Sequence, residues 1–282
     1  MREIRARVVG GAVVCATVVV LAALGAPAAW AEAPVRINGS GGALDAMKPL
    51  MQAWAAEHPA ERLRTNPPLG SSGAAMALLA GALDLAVLGR PLLPAEVARG
   101  ARGRTYGKTP LILVTHASVR KHDITVAELE AIFSGARLTW PNGRPIRVIL
   151  RPEKDTNTQL LASLSPGMAR ADAAARKLPW AIIAVTDHEA SQMVARTPGA
   201  IGAAALSSLH VEELPLNALT LGGVPGTVET LEQGRYPLAR DVILVTTARS
   251  APAALSFVEY AFSTRGRALA ARNGVLVTGG GR

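Results

Sequence analysis

Cysteine, aromatic residues and grouped metal-ligand residues are scarce in this sequence. Its single cysteine, Cys15, lies in an N-terminal apolar run, so the chain after that run has no disulfide bond and no thiol chemistry. Aromatic residues make up 4% of the chain and the arginines are scattered, which argues against a nucleic-acid partner. His116, His122, His188 and His210 have no metal-ligand spacing. We therefore predict neither a metal nor a cofactor.

Catalytic motifs are also missing from the sequence. A hydrolase or phosphatase needs a nucleophile with a base, or a metal cluster. The chain has no G-x-S-x-G motif and no histidine paired with acidic residues at metal-ligand spacing. We therefore predict that the protein is not an enzyme.

The N-terminus has the pattern of a secretory signal peptide. A basic stretch, MREIRAR, precedes an apolar run, and small residues lead to the A-x-A pattern Ala29-Trp30-Ala31. We predict a signal peptide over residues 1–31, cleavage near Ala31, and a periplasmic or secreted protein. A retained anchor helix stays open, because the apolar run is near the shortest length that spans a bilayer.

The chain carries a formal net charge of +9. Such an excess suits the binding of anions or of an acidic surface, although a generally basic composition would give the same balance. The part that follows residue 31 is long enough for one large domain or for two lobes.

Short apolar strands alternate with helical segments along most of the chain, which predicts an α/β fold with largely parallel sheets. The predicted strands cover residues 35–39, 63–68, 84–89, 109–116, 145–152, 199–206 and the end of 231–247. The predicted helices cover 39–59, 70–82, 124–135, 156–164, 188–196 and, as one helix or a pair, 251–274, while 181–187 fits either type. In such folds, ligands bind where helix N-termini meet the carboxyl ends of strands.

Three turns of small residues enter helices. They read GSGG at 39–42, GSSG at 70–73 and DTNT at 155–158, and Arg90 and Arg151 each follow a strand. One such turn is explained as a helix cap, with Ser71 or Ser72 accepting from the first free amides. Three turns together favour an anion cradle, because the amides at helix N-termini carry partial positive charge.

Four stretches, in this order, resemble the periplasmic phosphate-binding proteins of ABC transporters. They are INGSGGALDAMKPLMQAW at 37–54, LGSSGAAMALLAGALDLAVLGRPL at 69–92, ITVAELEAIFSGARLTWPNGRPIRVILRPEKDTNT at 124–158, and GAIGAAAL at 199–206 with LEQGRYPLARDVILVTT at 231–247. The last two stretches are the most specific. The resemblance spans about residues 35–278 and implies a two-lobed type II solute receptor with two hinge crossings.

The resemblance also implies a set of ligand-binding residues. Carried over by position, these are Gly41, Gly42, Ala43, Ser71, Gly89, Arg90, Arg151, Thr156, Asn157 and Thr158. The last turn is Ser-Gly-Thr in the family, but here it reads Thr156-Asn157-Thr158 and lies one residue further on than usual. Two single positions also depart from the family pattern. Ala43 has no hydroxyl, and Gly89 stands where the family has an aspartate that accepts the proton of hydrogen phosphate. Arg90 adds a planar donor able to grip an oxyanion or a carboxylate at two points.

The ordinary alternatives stay open for the arginines. Arg151 and Arg90 could be simple strand-end residues, and Arg240 could tie the returning strand across the hinge or lie on the surface. Because Gly89 cannot accept a hydrogen bond through a side chain, phosphate, sulfate, a phosphonate or an organic acid all remain candidates for the anion.

The resulting prediction is a monomeric, exported binding protein that closes on phosphate or a similar oxyanion and delivers it to an ABC permease in the inner membrane. Lobe 1 would comprise 33–110 plus 238–278, and lobe 2 would comprise 111–237. The alternative is a periplasmic sensor or assembly protein on the same fold, with an altered or lost anion site.

Overall fold

The computed structural model describes residues 33–279. The predicted signal peptide and its cleavage site lie outside the described residues. Within residues 33–279, no helix combines the length and the apolar character that a membrane crossing requires.

Strands and helices alternate along the described chain, as the sequence pattern predicts. In chain order they are β1 (Val35–Gly39), α1 (Gly41–Glu57), β2 (Leu63–Thr65), α2 (Gly70–Leu79), β3 (Leu85–Leu88), α3 (Pro94–Ala98), β4 (Arg102–His116), β5 (Asp123–Ile124), α4 (Val126–Phe133), β6 (Arg147–Leu150), α5 (Thr156–Ala162), α6 (Pro166–Ala175), β7 (Ile182–Ile183), α7 (Asp187–Arg196), β8 (Ala200–Ala205), α8 (Leu206–Glu212), β9 (Leu216–Ala218), β10 (Thr220–Leu221), α9 (Val228–Glu232), β11 (Ala239–Thr246), α10 (Pro252–Phe262), α11 (Thr264–Arg272) and β12 (Leu276–Val277).

One mixed sheet runs through the described chain in the order β2-β1-β3-β11-β4-β8-β6-β7. At one end β1 pairs in parallel with β2 and β3, and at the other end β6 pairs in parallel with β7 and β8. The two long central strands, β4 and β11, are antiparallel to each other and to their neighbours. These two strands therefore carry the chain from one parallel group to the other.

Two sets of hydrophobic clusters flank the sheet. Around β1, β3 and the first part of β4, one cluster packs under α1, α10 and α11, and a smaller one packs under α2. Around β6, β8 and the last part of β4, one cluster packs under α4, α5 and α6, and another packs under α7. Tyr106 belongs to the first set and Leu111 to the second, so the core divides along β4 between them.

Helix α1 shows why these residues form a buried helix. Leu44, Met47, Leu50, Met51 and Trp54 recur at helical spacing, and all five are buried in the first set of clusters. The start of the same helix faces α8, where the Ser207 hydroxyl donates to the carbonyl of Gly42 (2.9 Å) and the Ser208 hydroxyl donates to Asp45 (2.7 Å). Polar contacts therefore join the two groups of elements beside the N-terminus of α1.

Residues 251–274 form two helices, α10 and α11, because the Ser263 hydroxyl caps the second one by accepting from the amide of Gly266. The segment 181–187, which fits either type from sequence, is the strand β7 followed by the start of α7. Arg102 rather than Thr109 begins β4, since residues 102–108 pair with β11 despite their charged and glycine-containing sequence.

Glu128 on α4 makes an acid-sensitive cluster with Lys121 and Arg137. Burial raises the pKa of Glu128, but hydrogen bonds from Lys121, from the Thr125 amide and from Arg137 outweigh that effect and lower the pKa to about 2. A carboxylate whose pKa is lower in the folded than in the unfolded state stabilises the fold at pH values above its unfolded pKa, about 4.3. This contribution is lost as the pH falls towards 2.

We therefore expect Glu128→Gln to lower the free energy of unfolding by about 1–2 kcal/mol at pH 7, a value discounted because the cluster is partly exposed. The difference in unfolding free energy between the variant and the wild type should shrink below pH 4 and vanish near pH 2. Chemical denaturation across this pH range measures it, with the exposed Glu232→Gln as the control. A deficit that does not change with pH would contradict the expected titration.

Candidate functional site

A cavity of about 120 Å³ lies where the N-termini of helices from both parallel groups meet. Its lining is Ser40, Gly41, Pro68, Leu69, Gly70, Arg151, Asp155, Val185, Thr186 and Asp187. These residues come from the starts of α1, α2, α5 and α7 and from the end of β6. The cavity therefore lies at the place that the alternation of strands and helices predicts for a ligand.

The first glycine turn forms one wall of this cavity. Added Cβ atoms would lie 2.6 Å from Oδ2 of Asp187 at position 41, and 2.8 Å from the Cβ of Ala205 at position 42. Glycine at both positions therefore lets α7 and β8 approach the N-terminus of α1. Ala43, the third residue of α1, is fully buried in the hydrophobic core and does not line the cavity.

Asp187, the first residue of α7, lies at the centre of the site. Its Oδ2 accepts from the amide of Gly42 (3.1 Å), and its Oδ1 accepts from Nδ2 of Asn157 (3.0 Å) and from Nη1 of Arg240 (3.0 Å). Nε of Arg151 lies 3.6 Å from the same Oδ1. Three of the sequence-predicted residues, Gly42, Asn157 and Arg151, therefore surround one carboxylate.

The electrostatics of this cluster hold the carboxylate in its charged form. Burial alone would raise the pKa of Asp187, but the positive charges of Arg240 and Arg151, with the hydrogen bonds from Arg240 and Gly42, keep it below its ordinary value. Burial likewise disfavours the charged form of Arg240, and Asp187 outweighs this and raises the pKa of Arg240. The ion pair is therefore maintained at neutral pH although both partners are almost fully shielded from solvent.

Arg151, directly after β6, lies at the candidate site. Its side chain is 9% exposed and lines the cavity. Nη1 donates to the carbonyl of Ala184 (2.8 Å) and Nη2 donates to Asp155 (3.0 Å). These contacts hold the guanidinium plane with its Nε directed towards Asp187.

The third predicted turn contributes only one side chain to the cluster. Asn157 is buried and reaches Asp187, while its amide bonds the capping carboxylate of Asp155 (2.9 Å). The Thr158 hydroxyl donates to the carbonyl of Pro152 (3.0 Å), which directs it away from the cavity. Thr156 does not line the cavity either.

The GSSG turn does not contain a serine cap. Leu69 is the N-cap residue of α2 and makes no side-chain cap bond, so the cap interpretation of Ser71 and Ser72 is wrong. The Ser71 hydroxyl instead accepts from the amide of Gly89 (3.0 Å), which links the start of α2 to the end of β3. Gly70, with φ of +72°, gives the turn a left-handed backbone that favours glycine and lines the cavity.

Arg90 lies outside the cluster. Its guanidinium makes two hydrogen bonds to the carboxylate of Glu96 (2.9 and 2.7 Å) and one to the Ser72 hydroxyl (3.1 Å). Gly89, by contrast, adjoins the cluster, because a Cβ there would lie 3.0 Å from Nε and Nη2 of Arg240. The two neighbours therefore face different surroundings.

Asp187 is not among the site residues predicted from the sequence, and the pattern around Arg240 fits either a buried or a surface residue. Arg240 is 1% exposed, so its interpretation as a surface residue is wrong. The available signal for it was a charged residue entering the apolar strand DVILV. For Asp187, the signal was an acidic residue at a fourth helix start, directly after the capping residue Thr186.

The described residues contain no group of three or more His, Cys, Asp or Glu side chains placed to hold a metal ion.

A family model described as a PBP superfamily domain matches residues 26–265. This chain belongs to the PBP superfamily. A Borreliella burgdorferi protein named phosphate-binding protein PstS is 23% identical to it over 214 residues, which is 73% of this chain and 77% of that protein.

Solved structures show the same PBP fold. A Clostridium perfringens structure, described as a phosphate ABC transporter substrate-binding protein with bound phosphate, matches with a TM-score of 0.74 at 18% identity, covering 87% of this chain and 100% of that one. An ABC-type phosphate transport receptor from Vibrio cholerae matches with a TM-score of 0.60 at 18% identity and the same two coverages. The predicted two-lobed α/β fold is thereby confirmed.

Proposed function

We propose that this protein is an exported solute-binding protein that captures phosphate or a similar oxyanion between two lobes and delivers it to an ABC permease. The proposal has the support of the relatives, which are named for phosphate binding and phosphate transport. We further propose that the protein is monomeric, periplasmic after cleavage of its signal peptide, and binds its ligand without transforming it.

The observation that carries the proposal is the convergence of donors beside the cavity. The Gly42 amide, the Asn157 side chain and the Arg240 guanidinium all point at one negatively charged group, with Arg151 next to it. Such a set of buried donors suits an oxyanion, because charge-assisted hydrogen bonds are strong when water is excluded. Gly42 belongs to the N-terminus of a long helix, which adds partial positive charge.

We propose that lobe 1 comprises residues 33–110 plus 238–278 and that lobe 2 comprises 111–237. In support, one set of hydrophobic clusters draws on residues before 107 and after 241, and the other set draws on residues 111–238. The lobes would hinge at β4 and β11 and close over the ligand.

Calorimetric titration and thermal unfolding with phosphate, sulfate, a phosphonate, molybdate and small carboxylates test the proposed function. A ligand at about 100 times its dissociation constant adds about 2.7 kcal/mol. For a protein of this size, that corresponds to a rise in Tm of roughly 5–10 °C. If no anion raises the Tm, the transport proposal fails and the sensor or assembly alternative takes its place.

Arg151→Ala should abolish the anion-induced rise in Tm, because it removes the arginine that lines the cavity. The control is Arg147→Ala on β6, the strand that Arg151 follows. The Arg147 guanidinium donates to the carbonyl of Ile146 (3.3 Å) and does not line the cavity. This variant should keep the full rise. Equal responses of the two variants would contradict a role for Arg151 in binding.

A further inference from the structure

The carboxylate of Asp187 lies at the centre of the donors that the proposed function assigns to an oxyanion. Its two oxygens accept from a backbone amide, a side-chain amide and a guanidinium, which are the donor types expected to hold an anion. Gly42, Asn157 and Arg151 were each predicted from the sequence as ligand residues, yet in the structure they surround this side chain of the same molecule.

The donors around Asp187 are not all used. The donors Nε of Arg151 and Nε of Arg240 are buried without a hydrogen-bond partner among the described residues, as is one acceptor, Oδ1 of Asn157. Arg240 is 1% exposed and Arg151 is 8% exposed, so water does not readily satisfy these atoms. A single carboxylate therefore leaves part of this buried donor set free, and a tetrahedral oxyanion with more oxygens would use more of it.

Asp187 also joins elements that belong to different hydrophobic clusters. Its helix, α7, packs on the cluster of β6 and β8, whereas Gly42 begins the helix that packs on the cluster of β1 and β3. The hydrogen bond between Asp187 and the Gly42 amide connects positions 145 residues apart. Because no side chain projects from positions 41 and 42, the carboxylate reaches the helix N-terminus directly.

We propose that Asp187 is a tethered counter-anion that fills the donor set and links the two proposed lobes in the absence of ligand, and that an oxyanion replaces it at these donors when the lobes open and close again over the ligand. This inference rests on the proposed function. An incoming oxyanion must compete with a group that is covalently held in place, so the carboxylate weakens the apparent affinity of the wild-type protein. Asp187 thereby determines both the conformation of the ligand-free protein and the ligand concentration that is needed for binding.

Asp187→Asn tests the proposal, because asparagine keeps the shape and removes the charge. We expect the Tm of the ligand-free variant to fall, since the buried Arg240 loses the carboxylate that it pairs with at 3.0 Å. Inorganic phosphate should restore that Tm and should bind at least tenfold more tightly than to the wild type in calorimetric titration. The matched control is Asp84→Asn, which removes a carboxylate bonded to Arg36 (2.9 Å) away from the cavity and should leave the phosphate affinity unchanged.

The possible outcomes separate the two proposals. If the wild type binds phosphate and Asp187→Asn binds it equally or more weakly, the tethered counter-anion is ruled out while the binding function stands. If neither protein binds phosphate although the variant is folded, the phosphate-binding function fails and the inference fails with it.

A measurement on the wild type covers the case in which the variant does not fold. In an NMR titration with phosphate, the Gly42 amide and the Asp187 carboxyl carbon should shift together, because the carboxylate leaves the amide as the anion arrives. A shift of the Gly42 amide signal with no change at the Asp187 carboxyl carbon would contradict the proposed displacement of the carboxylate.

Discussion

Replacing Arg240 by methionine is expected to lower the free energy of unfolding by about 3–5 kcal/mol, because the change leaves a buried carboxylate without its main partner. Arg240 is 1% exposed, donates to Asp187 (3.0 Å), and also donates to the Ser40 hydroxyl. Methionine is unbranched and flexible, so it fills much of the same space without the charge. Thermal unfolding should show a fall in Tm of roughly 10 °C.

Two comparisons isolate the buried charge as the cause. Arg265→Met removes an exposed arginine paired with Glu57 and should change stability by no more than about 1 kcal/mol. The double variant Arg240→Met with Asp187→Asn should recover much of the loss, since neither charge is then left alone. A single variant as stable as the wild type would show that Asp187 does not depend on Arg240.

Gly39→Ala is expected to cost about 3 kcal/mol, because there is no room for a side chain between β1 and β3. A Cβ at this position would lie 2.2 Å from the carbonyl oxygen of Val87, which is the paired residue on β3. The clash involves backbone rather than a flexible side chain, so the strands must separate. Since Ser40 and the glycine turn follow directly, anion binding should weaken as well.

Gly73→Ala is the matched control for this substitution. Gly73 lies in the first turn of α2, and the nearest atom to its added Cβ is the Cβ of the exposed Leu69 at 3.1 Å. Because alanine favours helix over glycine by up to about 1 kcal/mol, this variant should match or exceed the wild type in stability. Denaturant unfolding of both variants measures the difference, and equal effects would contradict the packing argument.

Local sequence signals predicted most of the elements, and long-range pairing decided the exceptions. The strand 35–39 and the helix start at Thr156 agree with β1 and α5, because apolar runs and caps are local features. The first part of β4 did not look like a strand, since its sequence is RGRTYGK. It is ordered by pairing with β11, whose residues lie more than a hundred positions further along the chain.

The candidate site also combines residues that local sequence signals predict with contacts that depend on long-range pairing. Glycine turns and Arg151 were visible in the sequence, because helix starts and strand ends mark where ligands gather in α/β folds. The contact of Asp187 with Gly42 could not be predicted, since the two residues are 145 positions apart in the sequence. The partners of Arg90 were missed for a different reason. Glu96 is near in sequence, but only the fold turns it back towards the arginine.

The position of β11 in the sheet has a consequence for the order of events during synthesis. Strand β11 lies between β3 and β4, so the first parallel group is not joined to β4 until residues 239–246 have been made. The intervening chain can already assemble its own apolar interior, because that cluster uses only residues 111–238. We expect residues 111–238 to fold first. The residues before and after this segment should fold only once the C-terminal strands and helices have been synthesised. Pairing across so long a separation is slow, so the donors of α1 meet Asp187 only at the end of folding.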